Sequence, residues 1–130
     1  MKTALITGGA VRIGAQIVKT LHESNYRVLV HCHQSKEKAQ TLCDELNAKN
    51  SNSAEVVCAD LNSVSQINKL SDEIESLDLL INNASVFYPT PLSSATHDDW
   101  DNLINVNLKA PYFLATELSK KLTISNGSII

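Results

Sequence analysis

The stretch Lys2–Gly14 reads KTALITGGAVRIG. Lys2–Thr7 is a short apolar run with β-branched residues, and it stops at two glycines. Beyond the glycines, Ile13, Ile17, Val18 and Leu21 recur at the spacing of one helix face. A strand that turns sharply on glycine into a helix brings backbone N–H groups close to any phosphate at that helix N-terminus. Gly8, Gly9 and Gly14 mark the turn, and Arg12 stands where a further glycine is expected in a dinucleotide-binding turn. Glycines alone would also serve a plain connection. The strand-to-helix context favours phosphate.

Working outward, the same alternation repeats. YRVLVHCH (Tyr26–His33) reads as a second strand, and Ala39, Leu42, Cys43 and Leu46 mark a second helix. AEVVCAD (Ala54–Asp60) is a third strand. Ser63 and Gln66 have capping-box spacing before a stripe of Val64, Ile67, Leu70, Ile74 and Leu77. LDLLINN (Leu77–Asn83) is a fourth strand. Thr96 and Asp99 suit the start of a long helical region through Trp100, Leu103, Ile104, Phe113, Leu114 and Leu118, which Pro111 can bend or divide. NGSII begins a fifth strand at the end of the chain. Near-continuous apolar strands alternating with helices predict an α/β fold, a Rossmann-type doubly wound parallel sheet in order 3-2-1-4-5 that stops at its fifth strand. Residues 1–130 are expected to form a single dinucleotide-binding domain, incomplete at its C-terminus.

Composition agrees with a globular domain: 43% of residues are hydrophobic and 19% charged. The net charge of −3 gives no reason to expect nucleic acid or an anionic membrane as partner. No apolar run approaches the ~20 residues that span a bilayer. The N-terminal run MKTALITGG is too short for a signal peptide and lacks a small-residue cleavage site, so a cytoplasmic location is expected. Cys32, Cys43 and Cys58 are odd in number and widely spaced, which predicts reduced, mostly buried thiols.

The end of the second strand, VHCHQS (Val30–Ser35), has no carboxylate to receive the ribose hydroxyls of NAD. It offers His31, His33, Gln34 and Ser35, and Arg12 lies in the glycine turn. These donors suit a 2′-phosphate, so the expected cofactor is NADP(H). His31 and His33 share one face of the strand and Cys32 the other, so no metal site is expected there. Asp60 can receive the adenine amino group, or it can serve as a helix N-terminal acid beside Asn62 or Ser63. INNASVFYPTP (Ile81–Pro91) leaves the fourth strand at the crevice beside the glycine turn. Asn82 and Asn83 can fix this loop through side-chain bonds to backbone. Ala84 and Ser85 are small enough to let a cofactor pass. Phe87 can stack on a flat substrate or pack beneath its own loop.

TGGAVRIG, VCAD, INNAS and NVNLKAPYFL together resemble the N-terminal half of a short-chain dehydrogenase/reductase, in one register over the whole chain. The sequence N-N-A-S followed by F-Y-P-T-P-L is similar to pteridine reductases. The resemblance implies Gly8, Ile13 and Gly14 in the cofactor turn, with Arg12, His33 and Ser35 around the 2′-phosphate. It implies Asp60 and Leu61 beside adenine, and Asn83, Ala84 and Ser85 along the cofactor. Ser85 would also lie near a substrate, and Phe87 matches the residue that stacks on a pterin, making a sandwich with nicotinamide. Asn107 matches the asparagine that supports a proton relay to a catalytic lysine. Gln34 departs from the arginine common in pteridine reductases. A Tyr-x-x-x-Lys pair, which supplies the proton in this superfamily, does not occur here. The expectation is an NADPH-dependent pterin reductase in fragment form, inactive alone and homotetrameric when complete. A reductase of another carbonyl or acyl thioester, and an inactive NADP-binding module, are the alternatives. The uncovered fifth strand predicts low stability or self-association.

Overall fold

All 130 residues are described by the computed structural model. Five parallel strands, β1 (Lys2–Ile6), β2 (Tyr26–Cys32), β3 (Ala54–Cys58), β4 (Leu79–Ile81) and β5 (Ser128–Ile129), lie in the order β3-β2-β1-β4-β5. This is the order expected from the sequence. The helices are α1 (Arg12–Glu23), α2 (Lys36–Lys49), α3 (Val64–Glu73), α4 (His97–Ile104) and α5 (Ala110–Ser125).

The period of two along each strand divides the core. Ala4 and Ile6, Val28 and Val30, Ala54 and Ile81 face α1 and α2, where Val18, Ala39, Leu42, Cys43 and Leu46 pack on them. Leu5, Leu29 and Leu80 face the other way, against Ile67 and Leu70 of α3 and Leu114, Leu118 and Leu122 of α5. Both faces are thus covered, which is why these strands read as unbroken apolar runs.

The strands are shorter than the sequence suggested. β1, β2 and β3 end one or two residues early, and β4 is only Leu79–Ile81. The chain turns extended at Ile74, so Leu77 belongs neither to α3 nor to β4; it is a fully buried residue of the connection. Pro111 divides the long helix as expected, but one turn upstream of itself. Proline lacks an N–H and its ring crowds the carbonyl four residues back, at Asn107. The helix widens into a π turn over Asn105–Lys109, and the Ala110 N–H donates to the Asn105 carbonyl. No helix is long and apolar enough to cross a membrane.

Candidate functional site

Thr7 closes β1 and holds the crevice together. Its hydroxyl donates to the Ile81 carbonyl at 3.3 Å and accepts the N–H groups of Asn83 and Ala84, each at 2.9 Å. The Asn83 amide donates back to the carbonyls of Thr7 (2.9 Å) and Gly8 (3.2 Å). The glycine turn and the loop after β4 are therefore one stitched unit. Asn83 fixes the loop as expected. Asn82 does not do so through its carbonyl, since its buried Oδ1 has no partner.

Gly8 takes φ +62°, a region open to glycine. A Cβ on Gly14 would run into the Gly8 carbonyl and the Asn83 amide, so α1 can approach the turn this closely only with glycine there. Arg12 also has a left-handed backbone, φ +51°. It stands at the position where a dinucleotide-binding turn calls for glycine, and the left-handed backbone is the physical reason. Its side chain is exposed and takes part in none of the protein's ion pairs. Val11, the α1 N-cap residue, makes no side-chain cap, and the first turn carries no acid.

His31 corrects one expectation. Its place at the end of β2 predicts a phosphate donor, but it is 2% exposed and both ring nitrogens are taken. The Gly8 N–H donates to Nδ1 at 3.1 Å, and Nε2 lies 3.0 Å from the Ala59 carbonyl. An N–H needs an acceptor and a carbonyl a donor, so the ring is the neutral Nε2–H tautomer. Burial lowers its pKa from 6.5, outweighing the Ala59 bond that raises it. His31 ties the ends of β1, β2 and β3 together.

His33 is exposed, with Nε2 4.0 Å from an Asp60 carboxylate oxygen. The other Asp60 oxygen accepts the Asn62 N–H at 2.9 Å. Asp60 is not the cap of α3. Ser63 is, accepting the Gln66 N–H at 3.3 Å, while the Gln66 side chain turns to the Asp60 N–H instead of completing a box. Cys58 is exposed, against the expectation of mostly buried thiols, because β3 is the outer strand of the sheet.

A cavity of 410 Å³ opens along the C-terminal ends of the strands, with Gly8, His31, His33, Gln34, Asp60, Leu61, Ala84 and Ser85 in its wall. A smaller one, 180 Å³, continues past Gly8 along Ala10, Val11, Cys32, His33, Gln34 and Ser35. Predicted residues from four separate segments line these two cavities, whereas Arg12, Ile13, Gly14, Asn83, Phe87 and Asn107 are in neither wall. Sequence reading missed Asn62, Val86, Asn102 and Val106, which complete the larger wall. The spacing of Asn102 and Val106, four apart on one helical face, was the available signal. Thr7 was missed as well.

The loop is anchored on both sides of Phe87. The Asn107 side chain accepts the Val86 N–H (2.9 Å) and donates to the Val86 carbonyl (2.8 Å). The Tyr88 hydroxyl accepts from Asn102 at 3.3 Å, and Asn102 accepts from Asn62 at 2.9 Å. Phe87 itself is 90% exposed, so it does not pack under its loop.

A family profile described as short chain dehydrogenase matches residues 2–130. The chain belongs to that family. It is 33% identical to pteridine reductase 1 of Leishmania tarentolae over 92% of its own length and 53% of that protein's. It is 35% identical to the 3-oxoacyl-[acyl-carrier-protein] reductase FabG of Staphylococcus aureus (strain Mu50 / ATCC 700699), over 85% of this chain and 46% of that one. Among solved structures, a blue fluorescent protein from a metagenomic library in complex with NADPH superposes with a TM-score of 0.87 at 30% identity, covering 93% of this chain and 51% of that one. This member of the family spans about half the length of the curated relatives it matches.

Proposed function

We propose that this chain is the cofactor-binding part of an NADPH-dependent reductase whose substrate is a pterin. The observation that carries the cofactor is the phosphate end of the site. The N-terminus of α1 is uncapped and free of acids, and the end of β2 presents no carboxylate. That arrangement fits an anionic dinucleotide, and Arg12, His33, Gln34 and Ser35 are the groups that would hold its 2′-phosphate. Asp60 and Leu61 would border the adenine. Gly8, Ile13 and Gly14 would lie beside the pyrophosphate at the helix end, and Asn83, Ala84 and Ser85 would lie along the path toward the nicotinamide.

When bound, NADPH supplies the hydride. The residues of this chain orient the partners around it. Asn107 holds Val86 and so sets where Ser85 and Phe87 stand. Phe87, exposed between two anchored neighbours, offers a ring face to a flat substrate, worth about 0.5–1.5 kcal/mol beyond the area it buries. A proton donor is also needed, and no Tyr-x-x-x-Lys lies in these 130 residues. The chain by itself would bind NADPH without turnover.

A ketone or acyl-thioester substrate is the second reading, favoured by the equal similarity to the 3-oxoacyl reductase. Titration with NADPH and NADH, followed by nicotinamide emission, tests the cofactor. NADPH should bind about tenfold more tightly or better, a difference of about 1.4 kcal/mol. Equal affinities would sink the 2′-phosphate assignment. In the NADPH complex, a dihydropterin should quench that emission and Phe87→Ala should remove the effect. A response to a 3-oxoacyl thioester alone would transfer the assignment to the second reading.

A further inference from the structure

Cys32 and Cys58 are twenty-six residues apart in sequence but directly opposite in register on the neighbouring strands β2 and β3. Their side chains leave the same face of the sheet, and the sulfurs lie 3.4 Å apart. Adjacent strands are about 4.8 Å apart, inside the about 4.4–6.8 Å Cα window of disulfides. A shift of little more than an ångström between the sulfurs brings them to bonding distance. Cys58 is exposed and Cys32 is buried, so one thiol meets solvent and its partner waits behind it. The surroundings couple this pair to the cavities. Cys32 lines the smaller cavity. Its carbonyl accepts the Ala59 N–H at 3.1 Å, next to the Ala59 carbonyl that holds His31.

We propose that Cys32 and Cys58 form a reversible disulfide that loosens the phosphate end of the neighbouring cavity. With a peroxide as oxidant, the Cys58 thiolate attacks one oxygen, the O–O bond breaks and Cys58 becomes a sulfenic acid, while the departing hydroxide takes up the proton the thiol had lost and leaves as one water. The Cys32 sulfur then attacks the Cys58 sulfur, the S–S bond forms, and the second water leaves with the Cys32 proton. Two thiols are oxidised and one peroxide is reduced to two waters. A small dithiol reverses the step by exchange. Burial first, and then the contact with Cys58, push the Cys32 thiol up to about 12, which leaves Cys58 to react first. Closure draws the sulfurs together by more than an ångström and moves the flanking His31 and His33. Through His31 the shift reaches the Gly8 N–H. The effect on binding rests on the NADPH reading above; the cross-link itself does not.

Trypsin places each cysteine in its own peptide: residues 28–36, 39–49 and 50–69. The dilute protein is treated with hydrogen peroxide, alkylated, digested and mapped by mass. The expected product joins peptide 28–36 to peptide 50–69 within one chain, leaves Cys43 alkylated, and disappears after dithiothreitol. A sulfenic or overoxidised Cys58 with Cys32 still alkylatable would overturn the proposal, as would a cross-link between two chains. NADPH affinity should fall about fivefold or more on oxidation and recover on reduction. By the same linkage, NADPH should slow formation of the cross-link. Cys58→Ser should keep the reduced protein's affinity and lose the response to peroxide. A cross-link with unchanged affinity would overturn the loosening. Should neither redox form bind NADPH, the cofactor reading fails while the mapped cross-link stands on its own.

Discussion

The N-termini of α1 and α4 are built in opposite ways. α4 is closed by its own side chains: the Thr96 hydroxyl accepts the Asp99 N–H at 3.1 Å, and Asp99 accepts the Thr96 N–H at 2.9 Å. Asp98 and Asp99 also put negative charge in its first turn. α1 starts after Val11, with no side-chain cap, no acid and a left-handed arginine. The unpaired N–H groups at a helix start must find acceptors somewhere. A helix that supplies its own acceptors is finished as structure. One that supplies none, beside a glycine turn and an unpaired cation, is shaped for an acceptor that comes from outside.

The largest way to break this contrast is to fill α1's approach. Gly14→Ala places a methyl group against the Gly8 carbonyl and the Asn83 amide, both of them fixed by the Thr7 network. The expected cost is about 3 kcal/mol, read as a lower urea midpoint, together with loss of NADPH binding. A variant with unchanged midpoint would show that the turn is slack.

Arg12→Gly sharpens the contrast because its two effects have opposite signs. Left-handed backbone costs an L-residue about 1–2 kcal/mol. Glycine removes that strain, and stability should rise by about 1 kcal/mol after the entropy of the added glycine is set against it. NADPH affinity should fall about tenfold, while NADH affinity should hold. If both affinities fall together, Arg12 serves the turn and not a 2′-phosphate. At the other helix, Thr96→Ala should cost about 1 kcal/mol of stability and leave NADPH affinity alone, because α4's start is already complete.

Much of this was legible in the sequence. The β-α alternation and the glycine turn were enough for the strand order, because right-handed crossovers leave few arrangements. The cavity residues at the strand ends were legible, since the C-terminal ends of parallel strands share one edge, but Asn102 and Val106, which reach it from the long helical region, were not. The pairings across that edge were not legible. Thr7 looks like any β-branched strand residue until β4 lies beside β1, when its hydroxyl meets three backbone groups. His31 looks like a free donor until Gly8 and Ala59 close on its ring. Cys32 and Cys58 look unrelated until register sets them opposite. Each depends on a neighbour distant in the chain. The π turn has a local cause in Pro111, but its consequence, Asn107 reaching Val86, is again a contact between distant segments.

The smallest effect separates the two regions by pH. His31, the bolt of the glycine turn, has a pKa lowered from 6.5 by burial. Below 6.5 the unfolded chain binds a proton there that the folded chain refuses, so stability is intact above that value and declines as pH falls toward the lowered one. Asp99, in α4's cap, is lowered from 3.8, first by the backbone bond from Thr96 and then by the hydroxyl bond. Its contribution is present above 3.8 and is lost only as pH falls through the lower folded value. The carboxylate is fully exposed, so its step should be faint. A urea midpoint followed downward in pH should therefore weaken first in the His31 window and only later in the Asp99 window. His31→Gln should flatten the first and leave the second, and Asp99→Asn should do the reverse. A single decline shared by both variants would mean that the two helix ends titrate as one unit, and the contrast between them would be lost.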